Sequence, residues 1–127
     1  MKLKVVVADD NPEALRQVVS LLGAEFEVVA TAENGQLALE CVRRYEPDVV
    51  VLDLEMPILN GIEVTRELRK LGPSPAVVIC SVESDWEIVQ AAQQVGALGY
   101  VFKRRMTEDL LMAVRSAASG EPFVSSS

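Results

Sequence analysis

The sequence predicts an α/β domain: a five-stranded parallel sheet, doubly wound, with helices on both faces. Three observations carry this. Short valine-rich apolar runs recur at residues 3–8, 26–32, 49–54, 76–81 and 99–102. Most of them lack polar–apolar alternation, as strands covered on both faces do. Segments with helical spacing follow each run, and regular βα alternation implies a parallel sheet with right-handed crossovers. The 127 residues fit one domain and leave no room for an eight-unit barrel.

Each element has its own signals. After the first run, Asn11 is an N-cap candidate and Pro12 suits the first helical position, while Leu15, Val18, Val19 and Leu22 form one apolar stripe. After the second, a helix is expected from Asn34-Gly35, burying Leu37, Ala38, Cys41 and Val42. The third run leads to a helix after Asn60-Gly61, with Ile62, Val64, Leu68 and Leu71 facing the core. Ser84-Asp85-Trp86-Glu87 has capping-box spacing and opens a fourth helix, expected to end at Gly96. Thr107 is expected to cap the fifth, where Glu108 and Asp109 favour the positive end and Leu110, Leu111, Ala113, Val114 and Ala117 repeat at helical intervals. The domain is expected to span residues 1–121, with 122–127 starting a linker or disordered tail.

Composition narrows the function. Half the residues are hydrophobic and 24% are charged, which excludes a disordered chain. A net charge of −7 argues against this domain gripping a phosphate backbone by itself. Cys41 and Cys80 are too few for a disulfide framework or a zinc site and read as core fillers in a reducing cytoplasm. The start, Met1-Lys2-Leu3-Lys4, carries no cleavable signal pattern, and no apolar run approaches the ~20 residues that span a bilayer. The expectation is a cytoplasmic protein with no membrane partner.

In open parallel sheets the ligand site lies beyond the carboxyl ends of the strands. The first strand ends in Asp9-Asp10, the third in Asp53 and the fourth in Ser81, and Lys103 follows the fifth. Singly, each has an ordinary reading: an Asp in a turn, a serine closing a strand, a solvated lysine. Jointly they place three carboxylates, a hydroxyl and an ammonium on one edge. Crowded carboxylates call for a cation, and hard oxygen ligands suit Mg²⁺. Asp53 can then act as an oxygen nucleophile that forms an acyl phosphate, with Ser81, Lys103 and backbone N–H groups stabilising the phosphoryl oxygens.

Val7-Ala8-Asp9-Asp10-Asn11-Pro12, Val51-Leu52-Asp53-Leu54-Glu55-Met56-Pro57-Ile58-Leu59-Asn60-Gly61, Cys80-Ser81 and Gly96-Ala97-Leu98-Gly99-Tyr100-Val101-Phe102-Lys103 together resemble the receiver domain of two-component response regulators. The resemblance covers essentially the whole chain and implies a flavodoxin-like (βα)5 fold. It implies that Asp53 takes a phosphoryl group from a phosphohistidine of a sensor histidine kinase. It also implies Mg²⁺ on Asp10, Asp53 and the main-chain carbonyl of Glu55, with Asp9 acting directly or through water. Ser81 and Lys103 fall on phosphate-contacting positions, and Tyr100 on the switch aromatic: Ser81 is expected to move toward the phosphate as Tyr100 turns inward. The first helix is the family's usual kinase-docking surface. Such a domain is not an enzyme acting on a separate substrate; it catalyses only its own phosphorylation and slow dephosphorylation.

This chain departs from the pattern in places. The family's lysine is usually followed by proline, often in a cis peptide, whereas Arg104 follows Lys103, so that loop is expected to be more mobile. Glu55 and Glu83 lie two residues beyond Asp53 and Ser81, at positions that the resemblance implies tune phosphate lifetime. Val82 stands where the family prefers a small residue and is expected to hinder access. The tail, with Glu108-Asp109-Leu110-Leu111, Ala113-Val114-Arg115 and Gly120-Glu121-Pro122-Phe123-Val124-Ser125, is similar to receivers of NarL/LuxR-type transcription factors. That likeness implies DNA contact only through a C-terminal helix-turn-helix domain absent from this sequence; a stand-alone receiver is the alternative. Trp86 is a candidate contact for a partner or for a second receiver in a homodimer. A haloacid dehalogenase-type phosphatase also uses an aspartyl phosphate, but it places a second Asp where Glu55 stands. A flavin-binding module would need a phosphate-cradling first loop, and the loop here is acidic.

Overall fold

Burying valine on both sides of a strand requires layers above and below it, and the chain supplies them. The structure, a computed structural model, describes residues 2–126. Strands β1 (Lys4–Ala8), β2 (Glu27–Ala32), β3 (Val49–Leu52), β4 (Ala76–Ser81) and β5 (Gly99–Phe102) alternate with helices α1 (Pro12–Gly23), α2 (Gly35–Tyr45), α3 (Gly61–Leu71), α4 (Trp86–Gln94) and α5 (Met106–Ala118). With a short last strand, β6 (Phe123–Val124), every pairing is parallel and the strand order is β2-β1-β3-β4-β5-β6. Alternate strand residues face opposite layers. Val5, Val7, Val49, Val51 and Val78 pack under α1 and α5, against Val18, Leu22, Leu110, Ala113 and Val114. Val6, Val50, Leu52, Val77 and Ile79 pack under α2, α3 and α4, against Ala38, Val64, Leu68 and Val89. The chain leaves β1 for the edge strand β2 and returns on the other side of β1 to β3. The topological switch point therefore lies between β1 and β3.

The sheet has six strands among the described residues, not five. The sixth, β6 (Phe123–Val124), pairs with β5 through Gly99↔Phe123 and Tyr100↔Val124. It falls within residues 122–127, expected to start a linker or a disordered tail. Two residues are too short to show any periodicity, and the chain reaches the sheet edge through Gly120, whose φ of 79° favours a glycine.

Side-chain caps set most of the helix starts. Asn11 accepts from the amides of Glu13 and Ala14, Asn34 from that of Leu37, and Asn60 forms a reciprocal capping box with Glu63. Three expectations shift. Asp85, not Ser84, caps α4 by accepting from the Glu87 amide at 2.9 Å. The same helix does end at Gly96 as expected: after Gln94 and the C-cap Val95, Gly96 turns the chain with φ 110° and the Ala97 amide donates back to the Ala92 carbonyl at 3.0 Å. Thr107 lies inside α5, because the helix continues directly from a single 3₁₀ turn, Lys103–Arg105. Leu37 and Leu71, expected to face the core, are exposed.

Candidate functional site

Parallel strands in register deliver their ends to one edge. The Asp53 amide donates to the Ala8 carbonyl at 2.9 Å, which sets the residue after β3 beside the residue after β1. Asp9 and Asp53 are buried and Asp10 is exposed; one carboxylate oxygen from each lies within 4.8 Å of the others. Lys103 leaves the end of β5 and places Nζ 2.9 Å from Asp9 Oδ2 and 3.5 Å from Asp53 Oδ1. The other Asp9 oxygen accepts from the Asn11 amide at 2.9 Å, which fixes the carboxylate against the start of α1. Beneath Asp53, α3 approaches closely. A Cβ on Gly61 would lie 2.6 Å from the Asp53 carbonyl oxygen, so only glycine fits there.

The electrostatics follow from this crowding. Burial, and then the charge of Asp9, push the Asp53 carboxyl from 3.8 up to about 6, against the pull of Lys103. Burial works against the Lys103 ammonium, yet its hydrogen bond to Asp9 and the charges of Asp53 and Asp9 outweigh that and hold its pKa above the usual lysine value. Three neighbouring carboxylates and one cation leave uncompensated negative charge. All-oxygen donors with one acid open to solvent fit a hydrated, hard divalent ion such as Mg²⁺.

A second cluster lies beside the first. Ser81, the buried last residue of β4, accepts from the Glu83 amide at 3.0 Å. Tyr100 is turned inward, 1% exposed, and its hydroxyl donates to the Glu83 carbonyl at 2.8 Å. Its ring meets Phe102 edge-on with centroids 5.9 Å apart. Burial pushes the Tyr100 hydroxyl up to about 12, so it remains a donor at neutral pH. The Glu83 carboxylate accepts from the Asp85 amide at 3.2 Å at the start of α4. Glu55 is exposed in the β3–α3 loop, with no side-chain hydrogen bond or ion pair among the described residues. Val82 and Trp86 point outward, 78% and 59% exposed.

One group of residues escaped the sequence reading. Behind Lys103, Arg105 pairs with Asp109, and Asp109 accepts the hydroxyl of Ser125 at 2.7 Å. Arg104 lies over the Phe102 ring at 4.8 Å. The i,i+4 spacing of Arg105 and Asp109 was a readable signal; Ser125, sixteen residues from Asp109, offered none. Among the described residues, the cis peptide joins Ser74 to Pro75, away from this turn. Among the described residues, no helix is long and apolar enough to cross a membrane.

Known proteins resemble this chain over most of its length. A family model described as the response regulator receiver domain matches residues 5–115. The transcriptional regulatory protein DegU of Brevibacillus brevis is 35% identical over 126 residues, covering 97% of this chain and 53% of that protein. The nitrate/nitrite response regulator protein NarL of Escherichia coli K12 is 36% identical over 124 residues, covering 95% of this chain and 57% of that one. The signal receiver domain of the putative response regulator NarL from Mycobacterium tuberculosis superposes with a TM-score of 0.89 at 34% identity, covering 94% of this chain and 98% of that one. The chain spans about half the length of the curated relatives DegU and NarL.

Proposed function

The chain belongs to the response regulator receiver family, and we propose that Asp53 is its phosphate acceptor. Receiver domains are signalling domains that bind Mg²⁺ at an acidic pocket and take their signals from histidine kinases. The observation that carries the proposal is the convergence of Asp9, Asp10, Asp53 and Lys103 from three strand ends onto one point.

Each residue then has a task. Asp10, Asp53 and the Glu55 carbonyl would hold the ion, with Asp9 close enough to ligate it directly or through water. Bound there, Mg²⁺ would offset the carboxylate charge and orient phosphoryl oxygens. Asp53 supplies a carboxylate oxygen that forms the new O–P bond as the P–N bond of a phosphohistidine breaks, the electron pair returning to the imidazole nitrogen. Lys103 trades part of its contact with Asp9 and Asp53 for the phosphoryl oxygens. Ser81 donates its hydroxyl proton to the same group. The groove between α1 and the start of α5, lined by Glu13, Arg16, Gln17, Leu21, Met106 and Thr107, suits a kinase helix approaching the site.

The inward Tyr100, tied to Glu83, is the arrangement expected of the switched-on state. Its support is the Ser81–Glu83–Tyr100 chain of hydrogen bonds, which links the phosphate edge to the α4–β5 face. DegU is named a transcriptional regulatory protein and NarL a response regulator, and this chain spans about half of each. Control of transcription through an attached C-terminal DNA-binding domain is therefore the output we favour, in a cytoplasmic protein.

The test is incubation with phosphoramidate and Mg²⁺ followed by intact-mass measurement. Wild-type protein should gain one phosphate, and Asp53→Asn should gain none. Undiminished labelling of the asparagine variant, or labelling unaffected by a chelator, would overturn the proposal.

A further inference from the structure

The turn that delivers Lys103 to the carboxylates is held from behind by a residue distant in sequence. Ser125 follows β6 directly and is buried. Its amide donates to the Tyr100 carbonyl at 2.9 Å. Its hydroxyl oxygen accepts from the Phe102 amide at 3.1 Å, and the same hydroxyl donates to Asp109 at 2.7 Å. Asp109, buried in the first turn of α5, also accepts from Arg105 Nε and Nη2 at 3.4 and 3.3 Å. A serine hydroxyl offers one proton and accepting lone pairs, and both capacities are used here. Phe102 precedes Lys103 and Arg105 ends its turn. The Phe102 backbone before the lysine and the Arg105 side chain after it are thereby tied to one buried hydroxyl–carboxylate pair.

That matters because a lysine carries its charge on a flexible four-carbon stem. The reach of Nζ is decided by where the backbone is anchored. No proline follows Lys103 to stiffen the turn, and Ser125 with Asp109 provides another anchor. We infer that Ser125 and Asp109 are positioning residues for Lys103, holding the 103–105 turn in the register that sets Nζ 2.9 Å from Asp9 and 3.5 Å from Asp53. The inference rests on the proposed role of Lys103 in phosphoryl transfer. It has a structural corollary: the segment after α5, by way of Ser125, is coupled to the chemistry at Asp53.

The experiment measures the rate of phosphate gain from phosphoramidate with Mg²⁺ for wild type, Ser125→Ala, Ser125→Thr, Lys103→Ala and the double variant Lys103→Ala/Ser125→Ala. Small displacements of a charge-stabilising group slow phosphoryl transfer, and Ser125→Ala should slow it about five- to tenfold. Ser125→Thr keeps the hydroxyl and should return the rate to within about twofold of wild type. In the Lys103→Ala background, Ser125→Ala should add nothing, because no ammonium remains to be placed. If Ser125→Ala does not fold, Asp109→Asn takes its place with the same expected slowing and the same silence in the Lys103→Ala background. Two results overturn the inference: a wild-type rate in the substituted chain, or a slowing of equal size with and without Lys103. A wild-type chain that takes no phosphate sinks the proposed function itself and is read directly from the first arm.

Discussion

Asp53 is held in a state it disfavours. Its carboxyl is pushed from 3.8 to about 6, first by burial and then by Asp9. A raised carboxyl pKa means the folded chain binds the proton more tightly than the unfolded one. The stabilisation this gives is fully present below 3.8 and is lost as pH rises through about 6. At pH 7 the metal-free protein therefore carries a cost on the order of 2–3 kcal/mol at this residue. Asp53→Asn should raise the Tm of the metal-free protein at pH 7 and change it much less near pH 4. Mg²⁺ should stabilise the wild type more than the variant. Thermal unfolding with and without chelator measures both, and equal Tm values for the two chains at pH 7 would contradict the account. The acids were legible because an aspartate closing an apolar run is conspicuous. Ser125 was not, since its partners are assigned by tertiary packing and leave no local pattern.

Helix starts carry the next set of expectations. Asn11, Asn34 and Asn60 announced α1, α2 and α3, because an Asx side chain before an apolar stripe has one obvious use. In α4 two adjacent residues competed, and the spacing rule favoured the wrong one. Asp85 accepts the Glu87 amide, while Ser84 is exposed. Asp85→Ala should cost about 1 kcal/mol of stability and Ser84→Ala only a few tenths at most. Chemical denaturation decides this; a larger loss for Ser84→Ala would restore the capping box. The N-terminus of α3 links an element to the site. A Cβ at Gly61 meets the Asp53 carbonyl oxygen at 2.6 Å and the Leu54 backbone at 3.1 Å. Gly61→Ala should thus lower stability by about 1–3 kcal/mol and slow labelling of Asp53, since the strain falls on the backbone of the acceptor. The sixth strand and the 3₁₀ turn after β5 escaped the reading because two or three residues cannot display a period.

At the scale of the molecule, two apolar layers clamp an all-parallel sheet whose carboxyl edge gathers the chemistry. The strand order was not spelled out residue by residue, but regular βα alternation leaves few alternatives, and the switch point between β1 and β3 falls at Asp9 and Asp53. What no local pattern supplied was the link between layers: Tyr100 bonded to Glu83 on one side of β5, and β6 with Ser125 on its other edge. Through these contacts charge added at Asp53 can reach both the α4–β5 surface and the segment after α5. The direct test is chemical mapping of the modified residue. After reaction with phosphoramidate and Mg²⁺, borohydride reduction converts an aspartyl phosphate to homoserine, which peptide mass spectrometry locates. The account predicts homoserine at position 53 in a Mg²⁺-dependent yield. Phosphate retained on Ser81 or another hydroxyl, with Asp53 unreduced, would contradict it.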